Sequence, residues 1–204
     1  MMTLANRITL MRMFLSLVIF FLIFYRSLWS VIIAFILLTV ASISDYVDGF
    51  IARTTHTTTP FGAIADPFAD KILIMATFLA FASIRSLNVP LWAVFLILLR
   101  ELTISTLRVL AALHGEIMKA EAAGKLKTAV QMTAAFIILG LLVLKAWLNK
   151  HPADIPCLTL LSDYSGTIAY DLTVFTALVT LISGLIYLYN HRDLLRKSWS
   201  EKKA

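Results

Sequence analysis

The sequence predicts an all-α integral membrane protein with six transmembrane helices and cytoplasmic N- and C-termini. Of its 204 residues, 60% are hydrophobic and only 15% are charged, whereas soluble domains average about 45–50% and about 25%. The apolar residues are grouped in long blocks, which one soluble domain of this size could not bury. Six spans of about 20 residues leave only short loops, so we expect a single six-helix transmembrane domain over residues 1–204.

Six apolar blocks define the predicted spans. The first holds LSLVIFFLIFY and the second WSVIIAFILLTVAS, the third is the shortest, and Arg100 and Glu101 interrupt the fourth. The segment from Asn149 to Gly166 carries Pro152 and Pro156 and is predicted to be a loop. A short segment at about 1–7 precedes the spans, and a basic tail at about 190–204 follows them. The spans are expected at about Ile8–Tyr25, Leu28–Ser44, Lys71–Ile84, Leu91–Leu110, Thr128–Leu148 and Ile168–Tyr189.

The distribution of lysine and arginine predicts the orientation of these spans. Of the 18 such residues, 14 fall on the side that holds both termini, and four fall on the other: Arg26, Arg85, Lys145 and Lys150. Because positively charged loops stay in the cytoplasm, we expect a multi-pass protein of the cell inner membrane with both termini inside. The net charge of +6 is then expected to face anionic lipid headgroups and not nucleic acid.

Four acidic residues between the second and third blocks carry the main functional signal. Asp45 and Asp48 are three positions apart, and Asp66 and Asp70 are four apart. Each pair therefore shares a face if its segment is helical. Pro60 predicts the start of the second of these helices. Two antiparallel helices would bring both pairs together near the cytoplasmic boundary.

Clustered carboxylates of this kind predict a divalent metal site. A carboxylate at membrane depth costs several kcal/mol unless it is paired or coordinated. Hard oxygen ligands suit Mg²⁺ or Mn²⁺, and four carboxylates can hold two such ions about 4 Å apart. Such a site is suited to displacement at phosphorus. Gly49 and Gly62 would let a nucleotide approach the backbone, and Arg53 could offer a fork to phosphate.

Two other interpretations of the acids remain open. The carboxylates could pair with Arg53 and Lys71 and simply terminate helices. Intramembrane acids also mark ion or proton pathways, so a transporter of a different functional class is the second alternative. Glycines beside both acid pairs, and the clustering of the acids at one interface, favour the metal site over both.

The pattern DxxDGxxAR, followed after eight residues by GxxxDxxxD, occupies residues 45–70. All eight specified positions resemble the defining motif of the CDP-alcohol phosphotransferases. The resemblance implies a six-span homodimer with a cytoplasm-facing cavity open to membrane lipids, and two divalent ions, Mg²⁺ or Mn²⁺, held by Asp45, Asp48, Asp66 and Asp70. It also implies that Asp70 is the general base for an acceptor hydroxyl, which attacks the β-phosphorus of a CDP-linked donor and expels CMP. The implied donor pocket consists of Asn6, Thr9, Asp48, Gly49, Arg53, Gly62 and Asp66.

Cations in the fourth and fifth blocks are the candidates for the acceptor site. Arg100 and Arg108 are eight positions apart and project from nearly one helix face, while Lys125 and Lys127 open the fifth block. The runs LRELTISTLRVLAA, GKLKTAVQM and DPFADK are similar to the phosphatidylglycerophosphate synthase branch of the family. That likeness implies phosphatidyl transfer from CDP-diacylglycerol to glycerol 3-phosphate in phospholipid biosynthesis, with these four cations binding the acceptor phosphate.

The acceptor and the role of the cations have alternatives. A cardiolipin synthase of the same fold would use phosphatidylglycerol as its acceptor, and a phosphatidylinositol-phosphate synthase would use inositol phosphate. Ordinary placement of cations at the cytoplasmic side, with snorkelling side chains, would account for the lysines and arginines without any acceptor.

Overall fold

A computed structural model describes the backbone of residues 4–55, 60–113, 122–151 and 155–192, and the side chains of residues 10–44, 71–109, 111, 124–151 and 155–192. The described chain is helical, with no strand in these ranges. A short 3₁₀ turn, Arg85–Leu87, precedes the fourth helix. The helices are α1 Leu4–Tyr25, α2 Leu28–Thr55, α3 Pro60–Ala82, α4 Leu91–Leu113, α5 Ala122–Lys150, α6 Pro156–Asp163 and α7 Ser165–Asn190.

The predicted all-α class is confirmed, and five of the six apolar blocks lie within a long helix. The third block, predicted to end at Ile84, extends past α3, which ends at Ala82. The second helix continues past the apolar block to Thr55, and α3 begins at Pro60, as expected from the sequence. The loop predicted between the fifth and sixth blocks is wrong in part, because it contains α6. Pro156 occupies the start of α6 after an extended Ile155. A proline fits that position because it needs no N–H bond there and its φ angle is already helical.

The apolar helices indicate a membrane protein. Within the described residues, two helices are long and apolar enough to cross a bilayer, Gly124–Lys150 and Ser165–Asn190. Three shorter apolar helical stretches accompany them: Leu10–Tyr25, Leu28–Ser44 and Lys71–Ala82. Large apolar side chains are also exposed along the outside of the bundle, among them Phe14, Phe21, Trp29, Phe95 and Leu185. Lipid tails would cover such a surface, whereas exposure of so much apolar surface to water would be unfavourable.

The bundle is arranged around α3 and α5. The first helix packs against α2 and α3, and α5 packs against α2, α3 and α7. On its other side, α7 also packs against α4. Helices close together in a membrane pack through small side chains, and the buried interfaces accordingly contain Ala34, Ala41, Ala135, Ala169 and Ala177.

Basic side chains fasten the turns at the end of the bundle opposite the acid pairs. Arg26, in a left-handed conformation between α1 and α2, donates from Nη2 to the carbonyl oxygen of Ser83 at 2.8 Å. Lys145 Nζ lies 3.4 Å from the carbonyl oxygen of Ser86 and 3.4 Å from Ser165 Oγ. These bonds join the α1–α2 and α3–α4 connections to α5 and α7. The acidic motif lies at the opposite end of the bundle.

Candidate active site

The backbone places the four aspartates of the motif on two consecutive helices. Asp45 and Asp48 lie on α2, and Asp66 and Asp70 lie on α3, with only residues 56–59 between the helices. Since both segments are helical, each pair of positions shares one helix face. The side chains of these aspartates, and of Asn6, Thr9, Gly49, Arg53 and Gly62, lie outside the described residues.

The residues of the motif fit a divalent metal by their chemistry. Four carboxylate-bearing positions at one end of a helix pair supply the hard oxygen donors that Mg²⁺ and Mn²⁺ prefer. Among the side chains that the structure describes, no group of three His, Cys, Asp or Glu residues could hold a metal ion. The aspartate pairs remain the metal-site candidates that the sequence predicts, and the backbone places them on α2 and α3.

A buried polar network lies where α3, α4, α5 and α7 meet, and Glu101 is at its centre. We call this network the Glu101 cluster. The exposed fractions of its three central charged residues are only 3% for Glu101, 8% for Arg100 and 9% for Lys127. The members of the cluster are Lys71, Arg100, Glu101, Ser105, Lys127, Gln131, Thr180 and Ser183.

One carboxylate oxygen forms ion pairs with cations from two helices. Glu101 Oε1 pairs with Lys127 Nζ on α5 and lies 3.4 Å from Arg100 Nη1 on α4. Gln131 Nε2 donates to the same oxygen at 3.2 Å. Buried charges are tolerated only when they are paired in this way, and removing one partner of a buried pair typically costs about 3–5 kcal/mol of stability.

The cluster extends from this carboxylate to α7 and α3. Gln131 Nε2 lies 3.3 Å from Thr180 Oγ1, and Arg100 Nη2 lies 3.1 Å from Ser183 Oγ, so both contacts join α7. On the other side, Lys71 Nζ donates to Ser105 Oγ, and Ser105 Oγ donates to the backbone carbonyl of Glu101. Lys71 follows Asp70 directly in the sequence, so the cluster begins one residue from the acidic motif.

The charges of the cluster do not balance among the described residues. Arg100 and Lys127 are both buried, and among the described side chains Glu101 is the one carboxylate between them. Two buried hydrogen-bond donors nearby, Arg100 Nε and Tyr187 Oη, have no partner among the residues that the structure describes. A buried unsatisfied donor costs about 1–3 kcal/mol. Surplus positive charge and spare donors both indicate a site for an anion.

A stack of side chains at the ends of α4 and α7 adjoins this site. The guanidinium carbon of Arg108 lies 5.8 Å from the ring centroid of Tyr187. The Tyr187 ring stacks on the ring of His191 at 4.4 Å between centroids. Arg108 itself is exposed. The α4–α7 face thus presents an accessible arginine beside the buried pair of cations.

The structure separates the four predicted acceptor-site cations into two kinds. Arg100 and Lys127 come together around Glu101, whereas Arg108 and Lys125 are exposed on α4 and α5. Sequence reasoning did not assign Glu101 a function and missed Gln131, Thr180, Ser183 and Tyr187 altogether. A signal for the residues of α7 was present, since Thr173, Thr176, Thr180, Ser183 and Tyr187 recur every three or four positions in an apolar helix.

The comparisons with known proteins identify the same family that the acidic motif indicates. The family model described as CDP-alcohol phosphatidyltransferase matches residues 2–162. The chain is 35% identical over 181 residues to the CDP-diacylglycerol–glycerol-3-phosphate 3-phosphatidyltransferase of Escherichia coli K12, covering 86% of this chain and 88% of that protein. It is also 38% identical over 104 residues to the protein of the same description from Bacillus subtilis 168, covering 51% of this chain and 53% of that one.

A mycobacterial protein gives a similar result. The chain is 38% identical over 144 residues to a probable phosphatidylglycerophosphate synthase of Mycobacterium tuberculosis H37Rv, covering 69% of this chain and 66% of that protein. The matched part thus spans about half of the Bacillus protein, about two thirds of the mycobacterial one and most of the Escherichia one.

Proposed function

The chain belongs to the CDP-alcohol phosphatidyltransferase family, and from that premise we propose that it transfers the phosphatidyl group of CDP-diacylglycerol to glycerol 3-phosphate and releases CMP. The names of the Escherichia and Bacillus relatives support this donor and this acceptor. The observation that carries the proposal is the excess of buried positive charge among the described side chains of the Glu101 cluster, which begins next to Asp70. An acceptor that carries a phosphate matches such a site, since its charge would balance the cations.

We propose that Asp45, Asp48, Asp66 and Asp70 hold two divalent ions, Mg²⁺ or Mn²⁺. When bound, such ions hold the diphosphate of the donor and stabilise the charge that develops on the departing phosphate oxygen. The backbone supports this role because it places the four positions at one end of α2 and α3.

We assign Asp70 the role of general base. The acceptor hydroxyl gives its proton to the Asp70 carboxylate while its oxygen forms a bond to the β-phosphorus, and the bond from that phosphorus to CMP breaks. A carboxylate held tightly by metal is a poor base, so Asp70 must be the most loosely held of the four aspartates. Its position beside Lys71 supports the assignment, because Lys71 joins this part of α3 to the proposed phosphate site.

The donor pocket is proposed around the starts of α1 and α3. Because α2 lies between them in the chain, α1 and α3 run in the same direction, and they pack against each other. Residues near the start of α1 are therefore at the same end of the bundle as the acidic motif. We propose that the nucleotide contacts the following residues: Asn6, Thr9, Asp48, Gly49, Arg53, Gly62 and Asp66.

The acceptor phosphate is proposed to bind the cations of α4 and α5. Arg100 and Lys127 are held together beside Glu101, and Arg108 lies on the same face of α4 with its guanidinium over Tyr187. Lys125 lies near the start of α5 and is exposed. Arginine forks suit phosphate oxygens because they donate two parallel hydrogen bonds.

The membrane placement is a further part of the proposal. We propose that α1–α5 and α7 span the inner membrane, that both termini and the active site face the cytoplasm, and that two copies of this single domain form a homodimer. The excess of lysine and arginine on the proposed inner side supports the orientation. The residues of α6 that the structure describes are largely exposed, in keeping with a position outside the bilayer core. Of the predicted basic tail at about 190–204, residues 193–204 lie outside the described residues.

Removal of divalent ions is expected to abolish product formation. Purified protein with CDP-diacylglycerol, glycerol 3-phosphate and Mg²⁺ or Mn²⁺ should release CMP and form phosphatidylglycerophosphate. A chelator should lower the rate at least about a hundredfold, because the diphosphate then loses its counter-charges, and either ion should restore the rate. Parallel reactions with phosphatidylglycerol, inositol phosphate or serine would identify a different acceptor. No CMP with any acceptor or ion would contradict the proposed chemistry, and metal-independent flux into sealed vesicles would support a transporter.

Substitution of Gly184 should weaken acceptor binding indirectly, by moving Arg100. A Cβ atom at Gly184 would lie 2.8 Å from Arg100 Cγ and 3.3 Å from Arg100 Nε. Because 2.8 Å is closer than real contacts allow, Gly184→Ala must displace Arg100. We expect the KM for glycerol 3-phosphate to rise about three- to tenfold, with the KM for CDP-diacylglycerol unchanged.

Gly140→Ala is the matched control for this substitution. A Cβ atom at Gly140 would meet Phe35 Cε2 at 3.9 Å, an ordinary contact on a different helix surface. Both variants gain similar helix propensity, up to about 1 kcal/mol. Equal kinetic effects of the two substitutions would therefore show that displacement of Arg100 is not what changes the acceptor KM.

A further inference from the structure

Glu101 is the central residue of the Glu101 cluster, yet the proposed chemistry gives it no task. Its carboxylate is buried and negatively charged, as the acceptor phosphate is, so the two groups should repel each other. We propose that Glu101 is a positioning residue that holds Arg100 and Lys127 side by side, so that both can bind the acceptor phosphate together. The inference rests on the proposed function, since it concerns the acceptor site of that reaction.

The two cations need such a residue because they come from different helices. Arg100 is on α4, Lys127 is on α5, and both are buried. Like charges repel, and a lysine on its flexible four-carbon stem would otherwise turn toward water or headgroups. Glu101 Oε1 contacts both, with Arg100 Nη1 at 3.4 Å and Lys127 Nζ as its ion-pair partner. One fixed anion thus keeps two mobile cations at one place.

The carboxylate is itself held from outside the ion pairs. Gln131 lies one turn after Lys127 on α5, and its Nε2 atom lies 3.2 Å from Glu101 Oε1 and 3.3 Å from Thr180 Oγ1 on α7. Arg100 Nη2 reaches Ser183 Oγ on the same helix. Each hydrogen bond made in a buried network restricts the two side chains that it joins. The positions of Arg100 and Lys127 are therefore set by three helices at once.

The network also relates the acceptor site to the acidic motif. Ser105 lies one turn after Glu101, donates to its backbone carbonyl and accepts from Lys71. Lys71 is the neighbour of Asp70, the proposed base. A phosphate held beside Glu101 would therefore lie at a fixed distance from the group that takes the acceptor's proton. This arrangement is what a site needs to orient a hydroxyl for attack.

The direction in which acceptor binding changes in a Glu101 variant distinguishes a positioning role of Glu101 from an effect of its charge alone. If Glu101 acted through its charge alone, removing that charge would leave a more positive site and strengthen the binding of an anionic acceptor. If Glu101 positions the cations, removing the charge releases them and weakens acceptor binding. Glu101→Gln keeps the size of the side chain and removes only the charge, so it distinguishes the two cases.

The experiment compares wild-type protein, Glu101→Gln, Glu101→Asp and a control variant, Thr176→Val. Thr176 is buried on α7, and its hydroxyl donates to the carbonyl oxygen of Leu172 in the same helix, outside the Glu101 cluster. Initial rates are measured against glycerol 3-phosphate and against CDP-diacylglycerol, each with the other saturating, together with the unfolding temperature of every variant.

We expect Glu101→Gln to raise the KM for glycerol 3-phosphate at least tenfold, with the KM for CDP-diacylglycerol within twofold of wild type. Glu101→Asp keeps the charge and should recover most of the loss, and Thr176→Val should match wild type within twofold. If Glu101→Gln does not fold, the ratio of the two KM values in Glu101→Asp provides the test, with an acceptor-specific increase expected. An acceptor KM that falls or stays constant would overturn the inference.

Three further outcomes are also decisive. Equal increases in both KM values, with a lower unfolding temperature and no rescue by Glu101→Asp, would show a purely structural role and overturn the inference. Wild-type protein that forms no phosphatidylglycerophosphate contradicts the proposed function and the inference with it. An active wild type with an unselective Glu101→Gln contradicts the inference alone.

Discussion

Replacing Asp70 by asparagine is expected to lower kcat by about a hundred- to ten-thousandfold, the range typical of losing a general base. Asparagine has nearly the shape of aspartate but cannot accept the proton of the acceptor hydroxyl. Because Asp45, Asp48 and Asp66 would still hold the ions, donor binding should be largely retained. Steady-state rates give kcat, and titration of the protein with CDP-diacylglycerol in the presence of Mn²⁺ gives donor affinity.

Asp171→Asn is the control for this substitution, since Asp171 is an exposed acid on α7. It should leave kcat and donor affinity within about twofold of wild type. An Asp70→Asn protein that no longer folds would favour the interpretation in which the aspartates only pair with local bases. A folded variant whose rate is restored by a higher Mn²⁺ concentration would show that Asp70 serves as a metal ligand and not as the base.

The fold was largely predictable because its signal is local. Long apolar blocks interrupted by polar turns define where helices lie, and Pro60 marks the start of α3 in both sequence and structure. The short helix α6 was not predictable in the same way. Its eight residues bury no side chain, so no apolar period identifies it, and Pro156 could equally end a segment or begin one.

The acidic motif and the Glu101 cluster also differ in how local their sequence signal is. Asp45, Asp48, Asp66 and Asp70 lie within 26 positions and show helical spacing, so the sequence alone indicates a site. Glu101 and Lys127 are 26 positions apart on different helices, and Thr180 lies far beyond both. Their association depends on which helices are neighbours, and a single sequence does not specify that. The sequence could identify Arg100 as a buried cation, but not the carboxylate that it pairs with.

This difference bears on how the two sites could work together. The aspartates at the ends of α2 and α3 would hold the donor, and the cations of α4 and α5 would hold the acceptor. The described contact between the two regions runs through Lys71 and Ser105. Helix α3, which packs against both α1 and α4, is therefore the element that relates the proposed donor pocket to the proposed acceptor site.

Replacing Arg100 by alanine is expected to lower kcat/KM for glycerol 3-phosphate about a hundredfold. A hydrogen bond to a charged group contributes about 1.5–3 kcal/mol, and Arg100 combines a buried charge with a donor, Nε, that has no partner among the described residues. The substitution leaves Glu101 paired with Lys127 and bonded by Gln131. The carboxylate is therefore not left alone, and the variant should fold.

The loss should be specific to the acceptor and should depend on the shape of the side chain. Arg100→Lys keeps the charge but not the fork, so it should recover only part of kcat/KM. Arg85→Ala removes an exposed cation at the opposite end of the bundle and should change neither KM by more than about twofold. Equal losses of acceptor and donor affinity in Arg100→Ala would argue against a phosphate clamp, because a residue that binds only the acceptor cannot weaken the donor unless the whole site has moved.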